Sequence, residues 1–328
     1  MVDAGDATPP DSKAGPGPAA VTDLRDTDLR DTDLPDIEAG ALLRWRREQL
    51  RHGGTTAELN WLLELHAGLS WHDLQRLALV PGRVLTLRVP LSDVAALWQR
   101  HRRSHEPLQY LVGRCPWRDL EILVTPDVLI PRQETELLIE LALRLGSGDG
   151  PRRWADLGTG SGCLAVALAR AWPHSLGLAV DLSDEALTVA RSNLRHHDLL
   201  ERVELHKGDW WQPLRPLWGQ LELVVANPPY IPDAVWAELE AVVRDHEPRL
   251  ALSSGADGLD AIRVIAADAA EALAPGGWLL LEHHHDQSDA VLALLREAGL
   301  DHVQAHRDLE GVARFVAGRS PAAERDPH

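Results

Sequence analysis

The chain has 328 residues, of which 45% are hydrophobic and 25% are charged, so it can form one large domain and a smaller one. Its formal net charge of −17 disfavours nucleic acid as a direct substrate, because acidic surfaces repel the phosphate backbone. No apolar run reaches the roughly 20 residues that a membrane helix needs, and the acidic N-terminus is unlike a signal peptide. We therefore expect a cytoplasmic protein that does not contact a membrane.

The first 36 residues are predicted to be a disordered acidic tail. They are rich in Pro, Gly, Ala and Asp, and they repeat as TDLRD, TDLRD and TDLPD, a period that fits neither helix nor strand. Nine acids and three bases give this segment a net charge of −6. A partner-binding role is the alternative interpretation of the repeat.

Residues 37–103 are predicted to be a small helical domain, because apolar residues recur every three or four positions. Six acids and ten arginines give it a net charge of +4, which favours docking of an acidic protein substrate; a solvated helical face is the alternative. Helices are expected near 38–52, 56–67, 71–78 and 91–103. Four tryptophans are expected in the core of this domain: Trp45, Trp61, Trp71 and Trp98.

Residues 104–132 are predicted to form a β-hairpin that links the two domains. Leu120, Ile122 and Val124 alternate with other residues as in a half-buried strand.

Residues 133–319 are predicted to form an α/β domain with a Rossmann-like, mostly parallel sheet of seven strands, because strands and helices alternate. Ligands of such sheets bind beyond the carboxyl ends of the strands. Residues 320–328 are predicted to be a disordered tail. Strands are expected near 153–157, 177–181, 202–206, 221–226, 277–282, 302–306 and 312–317, and helices near 134–145, 162–171, 184–196, 234–243, 257–273 and 288–298.

A glycine-rich loop follows the first predicted strand of this domain in the stretch DLGTGSG. Its candidate cofactor residues are Gly158, Thr159, Gly160 and Gly162, since glycines allow a tight turn and close approach of a ligand. Asp181 ends the next strand, 23 residues after Gly158, where an acid can bind ribose hydroxyls. The glycine-rich loop and Asp181 together predict that this site binds a nucleotide-type ligand; a purely structural loop is the alternative.

The residues around this loop favour S-adenosylmethionine over a phosphorylated nucleotide. The Gly-Lys-Ser/Thr ending of a phosphate-binding loop is absent, and Asp156 suits an ammonium group better than a pyrophosphate. Asp209 could accept a hydrogen bond from the adenine amino group, with Trp210 against the ring. Core packing is an equally good interpretation of Trp210.

A second motif, NPPY, stops the strand-like run LVVA. Asn227 and the Pro228 carbonyl could accept the two N–H bonds of a planar NH2 group and aim its lone pair at a methyl donor. Pro229 would stiffen the turn, and Tyr230 could stack on the flat group and exclude water. Asn227, Pro228 and Tyr230 are the candidate catalytic residues, and together with Pro229 they are the candidate substrate-binding residues. Asn227 is also a candidate cofactor residue; a structural double-proline turn is the alternative to these roles.

DLGTGSG, Asp181 and NPPYIP together resemble class I methyltransferases that act on amide or amine nitrogens. The ordered motifs over about residues 38–317 resemble the PrmC/HemK family of release factor glutamine N5-methyltransferases. They are EPLQYLVG at 106–113, LIPRQETE at 129–136, EPRLALSSGADGLDAIR at 247–263, APGGWLLLEHHHDQ at 274–287 and DLEGVAR at 308–314.

This resemblance implies methyl transfer from S-adenosylmethionine to the glutamine of the GGQ motif in release factors, with the same roles for the NPPY residues. The expected state is a monomer with a protein partner. Two rivals remain at this point: an adenine N6-methyltransferase, since NPPY is shared with those enzymes, and a catalytically silent protein-binding module.

The chain departs from the family pattern at three places, one of which is the segment after Gly113, where RCPWRDLE stands in place of a stretch that usually contains Phe and Gly. Gln133 and Glu134 replace Pro-Asp, so a cofactor contact there is open, and His283 and His284 replace Ile-Gly. We expect no metal at the histidines, because neighbouring side chains of an extended segment point to opposite faces. We expect residues 283–285 to form a loop at the rim of the active site instead.

Overall fold

The structure is a computed structural model that describes residues 34–146 and 148–322. The predicted tails lie outside the described residues, apart from residues 34–36 and 320–322. Asp36 pairs with Thr86 in a short antiparallel ladder, and Ser320 is buried, so the ordered chain extends slightly into both predicted tails.

From residue 34 to residue 104, the described N-terminal part is built from four helices and one two-stranded ladder. A capping box at Thr55 and Glu58 begins the second helix, and Ser70 caps the third. The elements are β1 (Asp36–Glu38), α1 (Ala39–Arg51), α2 (Thr56–Leu65), α3 (Trp71–Arg76), β2 (Val84–Thr86) and α4 (Leu91–Ser104).

The leucine-rich core of this helical part confirms the predicted helices but only part of the predicted tryptophan packing. Trp98 is fully buried, and Trp45 and Trp61 pack on the core from its edge. Trp71 is 60% exposed, so its expected place in the core is wrong. It is the first residue of α3, and that helix packs through Leu74 instead.

The β-hairpin lies against the large domain. A short helix, α5 (Leu108–Val112), leads to β3 (Arg114–Trp117), which pairs with β4 (Leu120–Leu123). The indole N–H of Trp117 donates to the Arg132 carbonyl at 2.7 Å.

The large domain contains a seven-stranded sheet in the order β10-β11-β9-β8-β5-β6-β7. Strands β5 to β9 are parallel to one another, and β11 runs antiparallel between β9 and β10, so the predicted fold class is confirmed. The strands are β5 (Arg153–Leu157), β6 (Leu176–Asp181), β7 (Val203–Lys207), β8 (Leu221–Ala226), β9 (Leu273–Glu282), β10 (Asp301–Arg307) and β11 (Ala313–Arg319).

Helices cover both faces of this sheet. They are α6 (Glu136–Leu145), α7 (Cys163–Ala171), α8 (Asp184–His196), α11 (Asp260–Ala272) and α12 (Ser288–Glu297). Two short helices, α9 (Asp233–Trp236) and α10 (Ala241–Arg244), lie in the segment that follows β8 and bury none of their residues. The single helix predicted at 234–243 is two short helices, because Glu240 adopts an extended conformation between them.

The central strands are buried on both faces. Along β8, Leu223 and Val225 pack into one core cluster, while Val224 and Ala226 pack into the other. Neither face of the central strands is therefore free, and a ligand can reach them only at their ends. None of the helices in the described ranges is long and apolar enough to cross a membrane.

Asn193 on α8 connects the hairpin, the helix and the glycine loop. Its fully buried side chain accepts from the Leu123 N–H at 2.6 Å and donates to the carbonyls of Leu123 and Ser161, both at 2.8 Å. The side-chain amide of Asn193 therefore joins the hairpin to the glycine loop and fixes the distance between them.

Replacing Asn193 by alanine should lower the free energy of unfolding by about 3 kcal/mol, because three backbone groups lose their partner. Urea unfolding measures this change. Ser192→Ala is the matched control, since Ser192 bonds only within its own helix, and it should change stability by less than about 0.5 kcal/mol. Equal stability of the two variants would contradict the connecting role of Asn193.

Candidate active site

A cavity of about 680 Å³ opens at the carboxyl ends of β5, β6 and β8, a size suited to a cofactor. Eight of the twelve predicted site residues line it: Gly158, Thr159, Gly160, Asp181, Asp209, Trp210, Asn227 and Pro229. Four do not line it: Asp156, Gly162, Pro228 and Tyr230. The two predicted halves of the site therefore meet in one cavity.

The glycine loop is fixed to the neighbouring strand β6. The backbone N–H groups of Gly158 and Thr159 both donate to the Val180 carbonyl at 2.9 Å. Gly158 and Gly160 have φ values of +75° and +54°, which side chains rarely adopt. The loop therefore depends on glycine for its conformation as well as for space.

Asp181 lies at the rim between loop and helix. One carboxylate oxygen accepts from the Gly160 N–H at 2.8 Å and the other from the Ser183 N–H at 2.9 Å. Burial raises the pKa of this carboxyl, while these bonds act in the opposite direction. Each oxygen keeps a lone pair that can accept from a ligand hydroxyl.

Asp156 is fully buried beneath the loop rather than facing the cavity. It accepts from the Thr159 hydroxyl at 2.6 Å, and its other oxygen has no partner among the described residues. Burial raises its pKa to about 7. In this arrangement Asp156 holds the loop through Thr159, and its contact with a cofactor ammonium group stays a prediction.

Gly162 also lies behind the cavity. A Cβ atom there would approach the Ala190 Cβ at 3.0 Å, so this glycine allows α7 to pack closely on α8. Trp210 lines the cavity and packs against Gly158, where an added Cβ would meet the ring at 3.1 Å. Its neighbour Trp211 is buried and donates to the Ile265 carbonyl.

The NPPY segment presents Asn227 and Pro229 to the cavity, while Pro228 is buried behind them. The Asn227 side-chain NH2 donates to the Thr135 hydroxyl oxygen at 3.1 Å. Its carbonyl oxygen is thereby left to face a ligand. Thr135 lines the same cavity and is 2% exposed.

Tyr230 is held next to the cavity by a buried carboxylate. Its hydroxyl donates to Glu282 Oε1 at 3.2 Å, and burial raises the pKa of the phenol, as does the nearby charge of Glu282. Burial raises the pKa of Glu282 to about 7, and the hydrogen bond from Tyr230 acts in the opposite direction. Glu282 Oε2 has no partner among the described residues.

Hydrogen bonds and close packing hold the loop after NPPY in place at several positions. Gln287, which is buried, donates to the carbonyls of Tyr230 and Asp257 at 2.9 and 3.1 Å. Ile231 and Leu252 are joined by a backbone bond. An added Cβ at Gly258 would collide with the Tyr230 carbonyl, so the close approach requires glycine there.

The wall between the cavity and the helical part contains an ion pair. Arg132 donates to Glu247 Oε1 at 2.7 Å, and the other Glu247 oxygen accepts from the Ile130 N–H at 3.2 Å. Arg132 is the one cationic side chain among the described residues that line the cavity. A second, smaller cavity lies on the other side of this pair, toward α2 and α4.

The three histidines do not form a common site. His283 is fully buried and bonds through Nδ1 to the His284 carbonyl, while His284 pairs with Asp286. No group of three side chains suited to a metal occurs in the described part of the chain. His284 lies with its ring centre 6.3 Å from that of Tyr230, next to the site.

Sequence reasoning missed three residues of this site: Thr135, Glu282 and Gln287. Each lies in one of the motifs that resemble the family, but its residue type alone does not indicate a function. The register of β8 and β9 brings Glu282 beside Asn227 across 55 positions of chain, and Thr135 reaches Asn227 from the start of α6 across 92 positions. An additional signal was available for Glu282, since an acid that ends an otherwise apolar strand is unusual.

Residues 134–244 match the family described as Methyltransferase small domain. A release factor glutamine methyltransferase of Prochlorococcus marinus is 50% identical over 287 residues, which cover 87% of this chain and 98% of the relative. One from Synechocystis is 41% identical over 84% of this chain and 95% of its own length. The chain belongs to the release factor glutamine methyltransferase family.

A solved structure agrees with this assignment at the level of the fold. The hMettl16 catalytic domain in complex with the MAT2A 3'UTR hairpin 6 has a TM-score of 0.52, with 18% identity over 85% of this chain and 96% of that one. The suspected family of the sequence analysis is thus confirmed, and family and fold imply the use of S-adenosylmethionine.

Replacing Arg132 by methionine should lower the free energy of unfolding by about 2 kcal/mol, because the carboxylate of Glu247 is left buried without its cation. The double variant Arg132→Met/Glu247→Gln should recover at least half of that loss. Urea unfolding of the four members of this cycle measures the coupling. The control Gln133→Met changes an exposed neighbour and should have no measurable effect; additive losses in the cycle would contradict the pairing.

Proposed function

We propose that this protein transfers a methyl group from S-adenosylmethionine to the side-chain amide nitrogen of a glutamine, and that the glutamine is the one in the GGQ motif of peptide chain release factors. The observation that carries this proposal is the orientation of Asn227. Its NH2 group is occupied by Thr135, so a carbonyl oxygen faces the cavity as an acceptor for an incoming amide N–H.

The cavity suits S-adenosylmethionine by charge and by shape. Acidic side chains dominate its polar lining, which favours a sulfonium and an ammonium group and disfavours phosphates. The acids are Asp127, Asp181, Glu185, Asp209 and Asp260. Arg132, as the one cation of the lining, would pair with the cofactor carboxylate.

The adenosine part would lie along the glycine loop. Asp181 would accept the ribose hydroxyls with the lone pairs that its two backbone bonds leave free. Trp210 would face the adenine ring, and Asp209 would accept from the adenine amino group. When bound, the cofactor supplies a methyl group on a positively charged sulfur.

The substrate amide would be positioned by the NPPY segment. Asn227 Oδ1 and the Pro228 carbonyl would each accept one N–H, which prevents rotation of the NH2 group and exposes its lone pair. Pro229 restricts the backbone at the cavity wall. Acceptors at this place favour the transition state, because positive charge develops on the nitrogen.

Tyr230 would close the site on the side away from the cofactor. Its ring can cover the flat amide and keep water away from the reacting nitrogen. The chain needs no strong base, since a methylated amide nitrogen that carries positive charge is very acidic and loses its proton to water.

The helical part of residues 37–103 is proposed to dock the release factor, and the chain is proposed to act as a monomer. Its ten arginines give this part its positive charge: four lie in α1, and three lie near the end of α4. An acidic protein surface would be attracted to it. The domain boundaries at residues 103, 132 and 319 remain predictions.

The proposed function is tested by incubating the protein with labelled S-adenosylmethionine and either a release factor or DNA. Label on the GGQ glutamine, located by peptide mass spectrometry, is the expected result. Label in nucleic acid would support adenine methylation instead, and label in neither substrate would favour a silent binding module.

Replacing Asn227 by alanine should lower the rate of methyl transfer by about 10²–10³-fold, because one oriented acceptor is lost at the nitrogen. The melting temperature and the affinity for S-adenosylmethionine report whether fold and cofactor site remain intact. Near-normal transfer by a folded Asn227→Ala protein would contradict the role of NPPY.

Replacing Asp181 by alanine should weaken binding of S-adenosylmethionine by about 10–100-fold, because charge-assisted bonds to hydroxyls are lost and the Gly160 N–H loses its partner. Isothermal titration calorimetry measures this affinity. Asp184→Ala is the control: this neighbouring acid is exposed and pairs with Lys207 outside the cavity. Equal affinities of the two variants would show that Asp181 does not hold the ribose.

A further inference from the structure

Exposed apolar side chains cluster on the helical part. Nine large apolar residues are exposed within the described ranges, and four of these lie between residues 71 and 84, around the turn that joins α3 to β2. Clustered apolar side chains on a surface mark a site of interaction, whereas single ones are ordinary. We call these four residues the apolar patch: Trp71 (60% exposed), Leu79 (76%), Val80 (50%) and Val84 (57%).

Hydrogen bonds and one ion pair hold the residues of the apolar patch near one another. The N–H groups of Leu79 and Val80 both donate to the Arg76 carbonyl, at 2.9 and 3.2 Å. Arg83 donates its N–H to the Val80 carbonyl at 3.1 Å, and its guanidinium pairs with Asp73 of α3 at 2.9 Å. The turn is therefore folded back on α3, so that the helix and the turn share one region of the surface.

The surface around the apolar patch is basic. Residues 71–88 contain three arginines and one aspartate, and that aspartate pairs with Arg83. Arg76 and Arg88 are exposed and form no ion pair with any residue that the structure describes. A segment that carries both apolar and acidic side chains would therefore match this surface.

The first 33 residues of the chain have this composition. They lie outside the described residues, and they contain eight acids and three bases. Within the repeat TDLRDTDLRD of residues 22–31, Leu24 and Leu29 each follow one aspartate directly and precede another by two positions. The repeat therefore offers two large apolar side chains with four aspartates beside them.

The repeat joins the described chain beside the apolar patch. The Leu87 N–H donates to the Pro35 carbonyl at 2.9 Å, and β1 pairs along β2, whose first residue is Val84 of the patch. Val84 lies three strand residues from Leu87, which is about 10 Å. Leu29 and Leu24 precede the described chain by five and ten residues, which span at most about 17 and 35 Å. Both leucines can reach the patch, and the tether gives them an effective concentration on the order of 1 mM there.

We propose that the apolar patch is the docking site of the chain's own N-terminal repeat, with Leu24 and Leu29 covering its apolar side chains and the neighbouring aspartates facing Arg76 and Arg88. The occupant is assigned to this chain because the apolar spacing, the opposite charge and the point of attachment all belong to the repeat. The docked repeat would also offset part of the positive charge with which the helical part is proposed to attract a release factor. The inference is independent of the proposed function, since the patch lies outside the cavity.

Trypsin cleavage of the full chain tests this docking, because the repeat contains its own cleavage sites. Trypsin cuts after Arg25 and Arg30, which follow the two leucines, and after Lys13 upstream of the repeat. The protease cuts only the undocked repeat, so the rate of cleavage follows the undocked fraction. The double variant Trp71→Ser/Leu79→Ser should increase the rate after Arg25 and Arg30 by about tenfold, because the leucines of the repeat lose their apolar partners. Cleavage after Lys13 should stay unchanged, and mass spectrometry of the released peptides measures each rate.

Two further variants separate docking from other effects. Leu309→Ser is the matched control, since Leu309 is 91% exposed but lies between β10 and β11, and it should change no cleavage rate. Arg76→Glu keeps the apolar side chains and reverses one charge. It should increase cleavage within the repeat by about threefold at low salt and by less in about 0.5 M NaCl, where the charges are screened.

Cleavage within the repeat at equal rates in the wild type, the double variant and Arg76→Glu overturns the inference. Protection of the repeat that appears only as the protein concentration rises overturns it as well, because it would place a second copy of the chain on the patch. The substituted side chains are exposed, so all variants should melt near the temperature of the wild type.

Discussion

The register of three parallel strands is the constraint on which this site depends. Leu157 at the end of β5 lies beside Val180 of β6 and Ala226 of β8, so Gly158, Asp181 and Asn227 emerge at one rim. Side chains alternate between the faces of a strand, so a slip of one residue would turn each of these motifs to the wrong face. Burial on both faces of the sheet opposes such a slip, and in this way the core determines the geometry of the site.

Around this rim, the polar groups divide into those that face the cavity and those that hold them. Asp181 and Asn227 present acceptors to a ligand, whereas Asp156 and Glu282 lie behind the residues that line the cavity. Both of these supporting acids are buried with pKa values raised to about 7. Burial of these carboxyl groups lowers the stability of the folded chain, but it helps to hold the hydrogen-bond acceptors of the site in fixed directions. Such a loss of stability is common at functional sites.

The sequence predicted the sheet, the glycine loop and NPPY because each is a local pattern: alternating elements, glycines before a helix, and prolines after a strand. It could not predict which residues of a motif face the cavity, since that depends on packing. Gly162 proved to allow close packing of two helices, and Asp156 proved to lie beneath the loop. Glu282 was missed because strand register, and not closeness in sequence, brings it to Asn227, and Thr135 was missed because it reaches Asn227 from the start of α6.

The central claim is that Asn227 presents its oxygen, and not its NH2 group, to a glutamine amide. A crystal structure of the protein with S-adenosylhomocysteine and a GGQ peptide tests it most directly. The account predicts that the glutamine NH2 lies within hydrogen-bond distance of Asn227 Oδ1 and of the Pro228 carbonyl. Its nitrogen should lie about 3–4 Å from the sulfur of S-adenosylhomocysteine. A peptide held through its carbonyl by Asn227 Nδ2, or bound outside the cavity, would contradict it.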